Sequence, residues 1–129
     1  MNIEIILIAV LICLAIAFGE TLPKKYRIRR CEGRAWKDAF PTTPKNEIRE
    51  FLTVFTYAFA FKEHDKLRFR PDDRLLDIYN QLYPCKWQAD ALEFETLAGD
   101  LKIKYDASFE DIWHNELTLG ELFLEVNNA

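Results

Sequence analysis

The chain has 129 residues, half of them hydrophobic and 29% charged. That balance suits one modest folded domain and excludes a wholly disordered or low-complexity chain. The formal net charge of −4 excludes a general nucleic-acid binder. The charge is unevenly placed: residues 1–45 carry eight Lys/Arg against four Asp/Glu, and residues 46–129 carry nine against seventeen. A basic front therefore precedes an acidic body.

The front opens with an apolar run from Ile5 to Gly19 that holds no charge, with Glu4 the only interruption back to Met1. Fifteen helical residues span about 22 Å, short of a hydrocarbon core of about 30 Å, and snorkelling of Glu4 and Glu20 lengthens the reach. Two readings stand for residues 1–22: a retained anchor, or a signal peptide cleaved near Ala17. The charge placement favours the anchor, because Met1 to Glu4 carry no cation while Lys24, Lys25, Arg27, Arg29 and Arg30 follow the apolar run. The positive-inside rule then predicts a single-pass protein, in the membrane through residues 5–19, with its C-terminal body in the cytoplasm. Residues 23–45, with Gly33, Pro41 and Pro44 and no sustained helical period, read as a basic juxtamembrane linker whose cations set topology or rest on anionic lipid. The three cysteines (Cys13, Cys31, Cys85) make no disulfide framework; Cys31 and Cys85 would pair only in an exported body.

Residues 46–129 read as a small all-α bundle. After Thr43-Pro44, a cap and a helix-opening proline, Ile48, Phe51, Leu52, Phe55, Ala58 and Phe59 repeat at helical spacing. A polar loop with Lys66, Arg68, Arg70 and Arg74 follows. Asp72 and Asp73 open a short helix bearing Leu75, Ile78, Tyr79 and Leu82, stopped by Pro84. Asp90 and Glu93 read as a capping box for the next helix, whose apolar face is Phe94, Leu97, Ala98 and Leu101. Ile103 and Tyr105 are placed in the turn after it. Ser108 caps a brief segment with Phe109, Ile112 and Trp113. Thr118 and Glu121 open the last helix, buried through Leu119, Leu122, Phe123 and Val126.

No catalytic constellation emerges. His64 and His114 lie in polar loops outside any metal-ligand spacing, the four glycines form no phosphate loop, and Ser108, the only serine, lacks a nucleophile-elbow context. No cofactor, metal or enzymatic activity is expected.

Two motifs carry a resemblance. Asp90-Ala91-Leu92-Glu93 stands where acyl carrier proteins have D-S-L-D, and Thr118-Leu119-Gly120-Glu121-Leu122 is similar to the T-V-G-D-(hydrophobic) start of their last helix. The motifs lie within 90–122, and the architecture they imply covers roughly 46–127. The body resembles an acyl carrier protein, nearest to the small carrier-like proteins of bacteria. The resemblance implies a helical bundle whose second major helix meets basic partners through acid, here Asp90, Glu93, Glu95 and Asp100. It also implies a phosphopantetheine-bearing serine, and there this chain departs: the position holds Ala91, whose methyl cannot form a phosphodiester. Thr96 lies too far into the helix, Ser108 lies after it, and Glu95 occupies a usually apolar place. The expectation is a non-catalytic, membrane-anchored carrier-like domain acting on a basic-surfaced protein partner. The alternatives are a genuine acyl carrier protein and an exported inhibitor or immunity-type protein.

Overall fold

The computed structural model describes residues 2–19, 22–83 and 91–127. Eight α-helices occur among them: α1 (Ile3–Gly19), α2 (Lys24–Arg27), α3 (Gly33–Ala39), α4 (Lys45–Ala58), α5 (Leu75–Leu82), α6 (Leu92–Tyr105), α7 (Phe109–Ile112) and α8 (Leu119–Asn127), with a 3-10 turn at Glu63–Arg68 between α4 and α5. The described residues form no strand; one isolated bridge joins Arg74 to Thr118. The all-α expectation holds.

The helical period decides the core. In α4 it buries Ile48, Phe51, Leu52, Phe55 and Ala58 on one side. That side meets α6 through Leu97 and Leu101, and α8 closes the core with Leu119, Leu122, Phe123 and Val126. Aromatic rings fill the space between: Phe51 and Phe40 lie 5.3 Å and 5.0 Å from Phe123, and Phe55 lies 4.9 Å from Phe69. The Thr118–Glu121 cap forms as the sequence predicts, with the Glu121 amide donating to Thr118 Oγ1 at 3.1 Å. Beside it, the amide of Gly120 donates to the carbonyl of Pro71 at 2.8 Å. A Cβ on Gly120 would lie 2.9 Å from that oxygen, so only glycine lets the loop and α8 approach this closely.

The structure corrects four expectations. First, no helix among the described residues is long and apolar enough to cross a membrane. The 17 residues of α1 rise about 25 Å, and Glu4 sits in its first turn. The single-pass anchor through residues 5–19, and the cytoplasmic placement drawn from it, are therefore not supported. Second, residues 23–45 are no bare linker. They form α2 and α3, and Tyr26 and Trp36 are among the most deeply buried side chains. Trp36 Nε1–H donates to the Phe69 carbonyl at 2.9 Å, so its polar edge is satisfied inside the core. Two isolated aromatics carry no periodic signal, so the proline and charge content alone misread the segment. Third, the cation-rich stretch at 63–68 is a 3-10 turn in which Arg68 bonds Asp65 at 3.0 Å and the Arg27 carbonyl at 2.8 Å. Fourth, α6 continues through Ile103 and Tyr105 rather than ending before them.

Candidate functional site

The start of α6 is the place where the resemblance puts chemistry. Ala91 is its N-cap, in the left-handed conformation (φ 61°, ψ 14°) and without a side-chain cap. An alanine there is strained, because its Cβ crowds the neighbouring carbonyl. The position is held by the Ala91 amide donating to the Tyr79 hydroxyl at 2.9 Å and by its carbonyl accepting from the Glu95 amide at 3.0 Å. Only a methyl group is exposed there. Asp90, the expected cap, lies outside the described residues. The expected Asp90–Glu93 capping box therefore lies outside them too; the Tyr83 hydroxyl donates to Glu93 Oε1. Glu93 Oε2 is buried and has no partner among the described residues.

Helix geometry sorts the remaining residues. At about 100° per residue, Leu92, Thr96, Gly99 and Ile103 lie within about 60° of one another on α6. The buried Leu97 and Leu101 occupy the opposite side. Leu92 is 57% exposed and Ile103 86% exposed. Thr96 Oγ1 is satisfied by the Leu92 carbonyl at 2.9 Å. A Cβ built on Gly99 meets nothing within 4 Å, so Gly99 leaves a notch in the row. Helix α6 thus has apolar residues on two opposite sides, one buried and one facing solvent.

Glu95 and Asp100, both expected on one interaction face, lie instead on opposite flanks of this row. Glu95 borders a shallow depression toward α7 with Lys102, Ser108 and Glu110. Asp100 borders a groove of about 310 Å³ toward α4, with Val54, Tyr57, Ile103 and Lys104. Tyr57 itself is 74% exposed. At the C-terminal end the charges are already spoken for. Lys102 bonds Asp106 at 2.9 Å, and Lys104 reaches Glu50 of α4 at 3.8 Å. The Lys102 bond holds the Asp106 carboxyl below its ordinary value and raises Lys102 above its own. Burial, then Glu50 and Glu47, push the Tyr105 hydroxyl up. Ser108 is the N-cap of α7, its Oγ 3.3 Å from Glu110, beyond the far end of α6 from Ala91.

The basic residues expected beside a membrane divide. Arg29 is bound to the core: its guanidinium grips Asp73 at 2.6 and 2.9 Å and lies 5.0 Å over the Tyr26 ring. Lys25 lies 5.6 Å from the same ring. Lys24, Arg27 and Arg30 are exposed. His114 pairs with Glu121 at 3.1 Å and His64 with Asp65 at 3.6 Å. Among the described residues no group of three or more His, Cys, Asp or Glu side chains is arranged to hold a metal ion. Cys31 is a free, exposed thiol; Cys85 lies outside the described residues.

Sequence reasoning found the acid of this site and missed its apolar part. The signal was present as the i, i+4, i+7, i+11 spacing of Leu92, Thr96, Gly99 and Ile103, hidden by ending the helix too early. Comparisons with protein-family models, curated proteins and solved structures returned no match.

Proposed function

We propose that the acidic body is a carrier-shaped helical module without attachment chemistry, and that it acts by docking a protein partner on α6. The observation that carries this reading is the solvent-facing row Leu92–Thr96–Gly99–Ile103, bordered by Glu95 on one side and Asp100 on the other. Large apolar side chains standing in water favour burial, at about 25 cal/mol per Å² of area covered. The fitting partner carries an apolar ridge with Lys or Arg on its margins: an apolar side chain seats over Gly99, and the cations meet Glu95 and Asp100. Ala91 supports the absence of carrier chemistry, because the exposed position at the helix start offers no hydroxyl. Thr96, whose hydroxyl is tied to its own helix, and Ser108, beyond the helix end, offer no replacement.

The test places a photo-crosslinking amino acid at Ile103 in the full chain, in its native cells, with a matched control at the exposed Glu125 of α8. The expected result is a discrete crosslinked protein from position 103 only, lost when Leu92→Asp is added while the melting temperature is kept. Equal labelling from both positions, or none from position 103, would overturn the docking reading. An intact mass that includes a phosphopantetheine arm would overturn the absence of carrier chemistry.

A further inference from the structure

A second feature lies at α3 and the start of α4. A cleft of about 420 Å³ opens there over a floor of Trp36, Ile48 and Leu67, within the range of small-molecule sites. Four cations line it: Arg34 and Lys37 from α3, Lys45 and Arg49 from the first turns of α4. Against them the lining holds one carboxylate, Asp38. The ion pairs among the described residues engage Arg29, Lys66, Arg68, Arg70, Lys102 and Lys104, and leave these four cations without an acidic partner. Helix α4 begins at Lys45 on the rim of this cleft, with Glu47 the acidic residue of its first turn. In a chain of net charge −4, a concave site of the opposite sign concentrates anions locally.

We propose that this cleft binds a phosphorylated small molecule. Its phosphate groups sit among Arg34, Lys37, Lys45 and Arg49, and its less polar part lies against the half-buried Leu67, with the core residues Trp36 and Ile48 beneath. The two guanidinium groups suit bidentate phosphate recognition, and the two ammonium groups neutralise the remaining charge. A concave floor of apolar residues favours a discrete molecule over a flat lipid surface. This proposal stands independently of the α6 reading, because it uses other residues on other elements.

The experiment is isothermal titration of the full chain with ATP, with inorganic tripolyphosphate and with phosphatidylglycerol vesicles, at low and at moderate salt. ATP is expected to bind, tripolyphosphate to bind more weakly, and both to weaken as salt rises. Arg34→Gln/Arg49→Gln is expected to weaken binding at least tenfold. Arg30→Gln/Lys62→Gln removes the same charge from exposed positions outside the cleft and is expected to change it less than twofold. The four cations are exposed, so melting temperatures should stay near that of the parent; if the double variant fails to fold, Lys37→Gln and Lys45→Gln singly carry the same test. No binding of either free phosphate compound, equal loss in both double variants, or binding to vesicles alone would overturn the proposal.

Discussion

Replacing Arg29 by methionine tests whether the basic front is part of the fold. The Asp73 carboxylate is 8% exposed and accepts from three donors: both terminal nitrogens of Arg29, at 2.6 and 2.9 Å, and the Arg70 amide at 2.7 Å. Arg29→Met keeps apolar bulk over the Tyr26 ring but removes two charge-assisted bonds, leaving Asp73 with the Arg70 amide. Stranding one partner of a fully buried pair costs about 3–5 kcal/mol. The Arg29 side chain here is 19% exposed, so water moderates the loss, to about 2–3 kcal/mol. Asp73→Ala should also destabilise, and Arg29→Met/Asp73→Ala should cost less than the sum of the singles by about 1–3 kcal/mol, because the double variant strands no charge. The assay is urea unfolding followed by tryptophan fluorescence, with the four proteins forming a double-mutant cycle. If Arg29 served only as an exposed cation, its loss would cost below about 0.5 kcal/mol and the cycle would be additive; either result refutes the reasoning.

Other expectations follow from the same geometry. Gly99→Ala should stabilise by about 0.5–1 kcal/mol, since a methyl there meets nothing and alanine is the better helix former, yet it should weaken partner docking by filling the notch; thermal melts and crosslinking read the two effects separately. Gly120→Ala should destabilise by about 1–3 kcal/mol, because its Cβ would press on the Pro71 backbone, and an unchanged denaturation midpoint would contradict that contact. Ala91→Gly should raise stability by about 1 kcal/mol by relieving the left-handed alanine (φ 61°), as chemical denaturation can show. Burial, with Asp73 adding to it, pushes the Tyr26 hydroxyl up to about 12. The folded state therefore holds the neutral phenol more tightly than the unfolded chain, whose value is near 10. Stability from this source is complete below pH 10 and is lost as the pH rises through about 12. Tyr26→Phe should flatten that loss in alkaline unfolding curves.

Part of the site was legible in advance and part was not. The acid at Glu95 and Asp100, the methyl at Ala91 and the Thr118–Glu121 cap were visible, because each is a matter of residue type or short spacing. The division of Glu95 and Asp100 onto two flanks needed the register of α6. The inward turn of Glu93 needed Tyr83, which lies just after the end of α5. The cleft cations Arg34, Lys37, Lys45 and Arg49 were all present in the sequence, but they look like ordinary solvated charge until α3 and the start of α4 line one cleft.

By itself the sequence determined the helices and the buried stripes of α4, α5 and α8, because hydrophobic periodicity acts within a few turns of chain. It also determined the acidic body, the apolar first segment and the methyl side chain at Ala91. Only the tertiary structure decided what the basic front is for. Arg29 meets Asp73 across 44 positions, Trp36 meets the Phe69 carbonyl across 33, and Gly120 meets Pro71 at an approach no larger residue permits. Periodicity cannot specify such partners, because a buried ion pair, a satisfied indole and a close backbone contact each depend on groups that are distant along the chain and adjacent only after the core has closed.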